Sequence, residues 1–259
     1  MTREPKPISS EIAWSTSDRI TVRGLDLPGE ILGHMGLAEF SFLQLTARRP
    51  TPSEARVYEA LLLTLVEHGL TPSSLAARLT YAGAPESLQA AVAAGLCGLG
   101  TVFVGTTEGS ARLLSEALAD DDGSADLNRV AADVVAGFRE RKQLVPGVGH
   151  PVHKPIDPRT PRLFEIAAEE GLSGRYVELM NLVGAEASRS FGRELPVNAT
   201  GAIGALCCEL GLPVRTVRGL GVMARAIGLV GHILEESENP MAIELWQRAE
   251  DEATAHLRP

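Results

Sequence analysis

The chain has 259 residues, with 24 Lys plus Arg against 33 Asp plus Glu, a formal net charge of -9 and a pI near 5.2. This acidic balance argues against nucleic acid or an anionic membrane as the main partner. The three cysteines lie in apolar runs without a CxxC pair, which argues against a disulfide framework or a zinc knuckle and favours a reducing cytoplasm.

In chain order, the N-terminal MTREPKPISSEIAW has no apolar signal core, and no later segment reaches the roughly 20 apolar residues of a membrane helix. We therefore expect a cytoplasmic protein without a membrane span. Only ITVRG near residue 20 and TVFVG near residue 101 look strand-like. Hydrophobic spacing elsewhere is helical, so the sequence predicts an all-α fold.

Helix starts are marked by caps in the first half of the chain. Thr51-Pro52-Ser53-Glu54 offers a capping box, and the helix that follows ends at His68-Gly69. Thr71-Pro72 and Ala84-Pro85 predict two further helix starts. The apolar residues from Leu113 to Leu118 mark another helix.

The second half contains a long loop between helices. Asp126 can cap a helix that carries Val130, Val134 and Phe138. The segment 143–161, QLVPGVGHPVHKPIDPRTP, is too rich in proline and glycine for regular structure. Helices are predicted again from Thr160-Pro161, from about 175 to 191, from 198 to 210 and from 215 to 236.

The 143–161 loop is the first candidate for a functional site, because it concentrates two histidines, a lysine, an arginine and an aspartate. The backbone N–H groups of Gly147, Val148 and Gly149 can form an anion-binding nest. The alternative is a surface connection that proline stiffens.

Other polar residues allow several interpretations. His150 and His153, with His68 or Asp157, could ligate a metal, although the spacing matches no strong metal motif. His68 stands at a helix C-terminus, where the helix dipole would raise its pKa, or where it would simply cap free carbonyls. Arg225 lies on a face of small apolar residues, where it needs a buried carboxylate or an anionic ligand as partner.

Four segments together resemble the citrate synthase superfamily. Residues 145–159, VPGVGHPVHKPIDPR, are similar to its active-site loop. Glu67-His68-Gly69, the 196–201 segment PVNATG and the 223–232 segment MARAIGLVGH match further family segments in order and spacing. The short length and the 95–103 segment GLCGLGTVF look more like citryl-CoA lyases and the lyase module of ATP-citrate lyase, in which an aromatic residue stands where Phe103 is found.

The resemblance implies an overall organisation. Residues 1–104 and 213–259 would form a large helical domain, and residues 105–212 a small helical domain carrying the active-site loop. It also implies a homodimer or a higher homo-oligomer. No metal and no prosthetic group are implied, because the CoA thioester is itself the substrate.

The resemblance further implies cleavage or formation of a citryl-CoA-like 3-hydroxyacyl-CoA, with acetyl-CoA and a 2-oxo acid such as oxaloacetate as products or substrates. His150 would act on the oxygen that is hydroxyl in the adduct and carbonyl in the product, and His68 would be a second donor to the same substrate. Arg159 and Arg225 would bind substrate carboxylates. Phe103 and Asn198 would complete the substrate site. The CoA would contact Leu144, Val145, Pro146, Gly147, Val148, Gly149 and Lys154.

The sequence departs from the family pattern at Thr200, at Pro151 and in lacking a counterpart of a further arginine near Asn239-Pro240. Thr200 stands where these enzymes carry the aspartate that exchanges a proton with the acetyl methyl group. A threonine hydroxyl is not a base near neutral pH. Three hypotheses therefore remain: an active lyase, with a citryl or another substrate; a CoA-ester-binding homologue with impaired catalysis; and a metal-dependent hydrolase built on His68, His150 and His153.

Overall fold

The computed structural model describes residues 8–102 and 104–258. Within them the chain is mostly helical, as predicted. Phe103 lies outside the described residues, so its place in the substrate site stays a prediction.

A small antiparallel sheet forms the N-terminal part of the described chain. Strands β1 (Ala13–Ser15), β2 (Ile20–Val22) and β3 (Leu25–Asp26) follow one another in spatial order. A π-helical turn, Leu27–Ile31, follows, and the Asp26 side chain accepts a hydrogen bond from Gly29 N–H at its start. The strand predicted near residue 20 is confirmed as β2.

Eleven α-helices, the loops between them and a short 3₁₀ helix, Ala255–Leu257, follow in the described chain. The α-helices are α1 (Leu37–Thr46), α2 (Pro52–Val66), α3 (Pro72–Gly83), α4 (Leu88–Cys97), α5 (Gly105–Ala117), α6 (Leu127–Glu140), α7 (Arg159–Glu169), α8 (Arg175–Phe191), α9 (Ala199–Glu209), α10 (Val214–Glu238) and α11 (Ala242–Thr254).

Side-chain caps start several helices where the sequence predicts them. In the capping box of α2, Glu54 N–H donates to Thr51 Oγ1 at 3.2 Å and Thr51 N–H donates to Glu54 Oε2 at 2.8 Å. Thr71 caps α3, and Asp126 caps α6 through Asn128 N–H at 3.0 Å. These three predicted starts are confirmed.

Two local predictions are wrong. Helix α4 does not begin at Ala84-Pro85, because Ala84 N–H still bonds the carbonyls of Thr80 and Tyr81 and so ends α3. The next helix starts at Leu88. The described residues of TVFVG form a turn rather than a strand, and Gly105 N–H closes the turn on Gly100 O at 3.0 Å.

The core lies where α5, α8 and α9 pack together, with α2, α6 and α7 around them. Its buried side chains include Tyr58, Leu114, Met180 and Leu206. The same buried cluster continues across residue 105, where the sequence predicts a domain boundary. The division into 1–104 with 213–259 and 105–212 stays a prediction.

Helix α10 is the longest and packs against α2, α3, α4 and α5. It crosses the end of α2 closely, since a Cβ added at Gly228 would lie 2.1 Å from Val66 O. By length and composition alone it could cross a membrane, contrary to the prediction that no segment qualifies. Leu220, Leu229 and Ile233 are buried against neighbouring helices, as in the core helix of a globular protein.

Candidate active site

The loop between α6 and α7 is fixed to the N-terminus of α9. Gly149 N–H donates to Pro196 O at 2.7 Å, and Asn198 N–H donates to Gly147 O at 3.0 Å. Gly147 has a φ of +82° and faces Gly201 so closely that a Cβ on Gly201 would lie 2.4 Å from Gly147 O. Both positions therefore require glycine.

These contacts correct the predicted backbone nest. Val148 N–H donates to Val145 O at 3.3 Å, and Gly149 N–H donates to Pro196 O. Two of the three N–H groups are thus engaged within the protein. The nest hypothesis is wrong for Val148 and Gly149.

His150 is held in one tautomer by the turn that follows it. Its Nδ1 accepts hydrogen bonds from the backbone N–H groups of Val152, at 3.1 Å, and His153, at 2.9 Å. In the neutral ring, the proton therefore resides on Nε2. Burial, followed by the nearby imidazole of His153, lowers the pKa of His150, which favours this neutral form. His150 thus presents an Nε2–H donor.

Three imidazole rings meet at this place. The rings of His150 and His153 are stacked with their centroids 4.4 Å apart. The His68 ring lies 6.2 Å from that of His150 and 6.4 Å from that of His153. The structure therefore brings His68, from the end of α2, to the two loop histidines.

The pKa of His68 is shifted in the direction opposite to the prediction. Burial lowers the pKa of His68, and the positive charges of Arg159 and Arg225 lower that pKa further. The predicted increase by the helix dipole is wrong, because burial and then two guanidinium groups from other elements lower the pKa. His68 is consequently a neutral imidazole able to accept a proton.

Asp157 places Arg159 beside the histidines. Its side chain is fully buried, and it accepts hydrogen bonds from Arg159 Nε at 2.9 Å, Arg159 Nη2 at 2.8 Å and Ala199 N–H at 2.9 Å. Burial alone would raise the pKa of Asp157, but these donors outweigh it and lower the pKa to about 2. Arg159 is therefore oriented by an internal carboxylate.

Asn198 and Thr200 are engaged with each other. Asn198 Oδ1 accepts hydrogen bonds from Thr200 N–H at 2.9 Å, Thr200 Oγ1 at 2.7 Å and Gly201 N–H at 3.1 Å. Asn198 Nδ2 donates to Gly149 O at 2.6 Å. Asn198 thus caps α9 and holds the loop, whereas its contact with substrate and the catalytic role of Thr200 stay predictions.

Arg225 is a buried cation without a matching anion. Its side chain is 9% exposed, and Nε and Nη1 have no hydrogen-bond partner among the described residues. Burial lowers the pKa of Arg225, and the charge of Glu67 opposes that decrease. Of the two partners predicted for Arg225, an anionic ligand fits these unpaired donors better than a buried carboxylate.

The sequence did not predict the polar network that holds the backbone of the His68 turn. Glu67 Oε1 accepts hydrogen bonds from His68 N–H at 2.7 Å, Gly69 N–H at 2.6 Å and His232 Nε2 at 3.0 Å. His232 Nδ1 in turn accepts from Arg78 Nε at 3.2 Å. This fixes the His68 turn against α10.

Arg78 anchors that network. It is 1% exposed and pairs with Glu236 at 2.9 Å and with Glu235. An arginine amid alanines and leucines in AARLT was the signal that could have identified it. Its partners lie more than 150 positions away in sequence, so the pairing itself was not readable.

A pocket of about 300 Å³ adjoins His150. Five of the seven residues predicted to contact CoA line it: Leu144, Val145, Val148, Gly149 and Lys154. Pro146 and Gly147 instead face α5 and α9. Phe191, Arg193 and Leu195 supply the opposite wall and were not predicted.

The metal hypothesis lacks a suitable donor set. No group of three His, Cys, Asp or Glu side chains in the described ranges is arranged to hold a metal ion. His150 Nδ1 is occupied by two backbone N–H groups, and the oxygens of Asp157 are bonded to Arg159 and Ala199. The geometry therefore favours an organic acid/base site.

Comparison with known sequences gives consistent matches. Residues 27–245 match the family model for the citrate synthase C-terminal domain. A probable ATP-citrate synthase from Dictyostelium discoideum is 24% identical over 257 residues, covering 93% of this chain and 40% of that protein. A citrate synthase from Deinococcus radiodurans is 26% identical over 199 residues, covering 75% of this chain and 51% of that protein. The chain thus spans about two fifths to one half of the length of these relatives.

Comparison with solved structures agrees. The citryl-CoA lyase from Hydrogenobacter thermophilus superposes with a TM-score of 0.81 at 31% identity, covering 89% of this chain and 87% of that one. The ATP citrate lyase from Methanothrix soehngenii, in complex with citrate and coenzyme A, gives a TM-score of 0.71 at 22% identity, covering 91% and 40%. These likenesses confirm the predicted fold.

Proposed function

The chain belongs to the citrate synthase family, and from this premise we propose that it cleaves or forms the carbon–carbon bond of a citryl-CoA-like 3-hydroxyacyl-CoA. The products of cleavage would be acetyl-CoA and a 2-oxo acid such as oxaloacetate. The similar structures include a citryl-CoA lyase of matching length. The observation that carries the proposal is the convergence of two neutral imidazoles with the unpaired guanidinium of Arg225.

The two imidazoles have complementary roles at one substrate oxygen. In cleavage, neutral His68 accepts the hydroxyl proton of the adduct, while His150 Nε2–H donates a hydrogen bond to the same oxygen. The carbon–carbon bond then breaks, and the oxygen becomes the carbonyl of the oxo acid. The electron pair moves to the carbon beside the thioester, which takes up a proton to form acetyl-CoA.

The arginines suit the carboxylates of such a substrate. The Nε and Nη1 of Arg225 are buried donors without a partner among the described residues, and carboxylate oxygens of a substrate can accept from them. Arg159 forms an ion pair with Asp157, and its positive charge lies close enough to His68 to lower the pKa of that imidazole. A di- or tricarboxylate would supply acceptors for the two Arg225 donors that have none among the described residues.

The pocket beside His150 suits the thioester arm. Its apolar wall of Leu144, Val145 and Val148 would contact the pantetheine, and Lys154 would meet a CoA phosphate. The thioester is then bound as substrate, without a prosthetic group. A homodimer or a higher homo-oligomer in the cytoplasm belongs to the same proposal.

A second candidate function is a CoA-thioester-binding homologue with impaired catalysis, and one observation favours it. Thr200 Oγ1 donates to Asn198 Oδ1, so the residue at the position of the family's carboxylate has its hydroxyl proton engaged. A lyase with a non-citryl substrate is the third possibility. All three share the CoA pocket.

A substrate screen separates these candidates. Citryl-CoA and related 3-hydroxyacyl-CoA esters would be incubated with the protein, as would acetyl-CoA and propionyl-CoA with a panel of 2-oxo acids, and products identified by mass spectrometry. We expect turnover of at least one tricarboxylic or dicarboxylic ester and loss of that turnover in His150→Ala. Turnover that is unchanged in His150→Ala would contradict the lyase assignment.

A further inference from the structure

We propose that His153 is a third catalytic residue, which carries the proton to and from the carbon beside the thioester. This inference rests on the proposed function and adds the step for which neither His68 nor His150 is available. Both of those rings act on the oxygen of the adduct. The carbon that becomes the acetyl methyl group needs a separate acid.

The position of His153 is fixed by its neighbours. Its ring is stacked on His150 with the two planes inclined by 26° and the centroids 4.4 Å apart. Its own backbone N–H donates to His150 Nδ1 at 2.9 Å, which fixes the His150 ring relative to the backbone of His153. The His68 ring lies 6.4 Å away on another side. His153 therefore borders the space between the two rings that act on the oxygen.

The other groups around this space are unsuited to proton transfer at carbon. Asp157 is bonded to Arg159 and Ala199, and these donors hold the pKa of its carboxyl near 2, so it remains an anion. Glu67 accepts three hydrogen bonds, which outweigh burial and lower its pKa as well. Histidine, by contrast, is the side chain whose protonation ordinarily changes near neutral pH.

Thr200 is excluded by its hydrogen bond. Its hydroxyl donates to Asn198 Oδ1 at 2.7 Å, and that oxygen already accepts two backbone N–H groups at the start of α9. Moving the hydroxyl proton to substrate would leave an alkoxide beside a carbonyl oxygen. Among the described residues, the His153 ring is stacked beside this space and is not assigned to the oxygen of the adduct.

In cleavage, one proton leaves the adduct and another enters the product. The hydroxyl proton of the adduct passes to His68, the carbon–carbon bond breaks, and its electron pair forms the enolate of the thioester. Protonated His153 then donates its proton to the enolate carbon, giving the methyl group of acetyl-CoA. His68 has gained one proton and His153 has lost one, and exchange with water restores both. In the reverse direction, neutral His153 removes the methyl proton.

Proton exchange isolates this step from bond cleavage. Acetyl-CoA is incubated with the protein in D₂O in the presence of malate, which occupies the oxo-acid site but has no carbonyl to attack, and deuterium in the methyl group is measured by mass spectrometry. The wild type is expected to exchange the methyl protons. His153→Phe keeps the stacked ring, and we expect it to lower exchange by about 100-fold or more.

Two further variants separate a chemical role from a structural one. In His153→Ala, added imidazole is expected to restore part of the exchange, which a packing role would not permit. His256→Gln, in the exposed C-terminal turn, serves as the matched control and should match the wild type. The affinity of each variant for acetyl-CoA, measured by calorimetry, should differ little from that of the wild type.

The methyl-proton exchange of the variants and of the wild type tests the role of His153 separately from the lyase activity. Exchange in His153→Phe within about threefold of the wild type would overturn the role of His153 while leaving the lyase intact. If imidazole fails to rescue folded, CoA-binding His153→Ala, the role is likewise overturned. If the wild type neither cleaves any ester in the screen nor exchanges methyl protons, the proposed function and this inference both fall.

Discussion

At Arg225, the same burial that lowers folding stability prepares a binding site. A buried guanidinium with unsatisfied donors costs free energy in the folded chain, and a carboxylate bound there would recover it. Replacing such a charge by an apolar side chain of similar volume is often neutral or stabilising. The effects of substitution on stability and on binding should therefore have opposite signs.

The substitution Arg225→Met tests whether stability and substrate binding change in opposite directions. We expect an unchanged or higher melting temperature, together with a loss of about 30- to 1,000-fold in oxo-acid affinity, corresponding to about 2–4 kcal/mol. Thermal unfolding and calorimetric titration measure the two quantities. Arg218→Met, on the same helix but paired with Glu108 in a more exposed place, is the control and should leave oxo-acid affinity unchanged. A large loss of stability in Arg225→Met with normal affinity would refute the assignment.

The histidines mark what sequence can and cannot predict at the residue scale. The position of His68 at the end of a helix and that of His150 in the loop were readable from composition and resemblance. The direction of the His68 pKa was not, because it depends on burial and on the charges of Arg159 and Arg225, which reach His68 only in the folded chain. The tautomer of His150 likewise depends on two backbone N–H groups of a turn that no propensity predicts.

At the scale of elements, the His68 turn is positioned by α3 and α10 together. Arg78 orients His232, and His232 Nε2–H bonds Glu67, which also accepts the N–H groups of His68 and Gly69. None of these three side chains needs to touch substrate. Their role is to keep one imidazole in place, and a shift of about 1 Å at such a site can cost as much as 100-fold in rate.

His232→Phe should interrupt this connection. We expect kcat to fall by about 10- to 100-fold with a smaller change in KM for the CoA ester, because the CoA pocket lies at another loop. His232→Gln can still accept from Arg78 and donate to Glu67, so it should restore most of the rate. Glu235→Gln, which alters the exposed partner of the same arginine, is the control. Equal activities in His232→Phe and the wild type would show that the network is not needed for His68.

Helix starts were predictable where a side chain closes the first turn, as Thr51, Thr71 and Asp126 do. The helix start predicted at Ala84-Pro85 was wrong because the backbone N–H of Ala84 still bonds to the preceding helix. The strand predicted at TVFVG was wrong because β-branched residues also occur in turns that lie between packed helices. Local composition cannot distinguish these cases without the neighbouring elements.

For the whole molecule, the all-α class followed from helical spacing, and the active-site loop followed from its motif. The convergence of α2, the loop, α9 and α10 on one site did not follow from spacing, since those segments are far apart in sequence. The long apolar helix α10 illustrates the same limit: its composition suits a membrane, whereas its packing places it in the core. Tertiary contacts decide between the two.

A single-turnover experiment tests whether this assembled site breaks a carbon–carbon bond. With the protein in excess over citryl-CoA, rapid quenching and mass spectrometry would follow the ester, acetyl-CoA and oxaloacetate with time. We expect complete conversion to equal amounts of acetyl-CoA and oxaloacetate, and none in His150→Ala. Citryl-CoA that is bound by the wild-type protein yet recovered intact would contradict the lyase assignment and favour a CoA-thioester-binding protein.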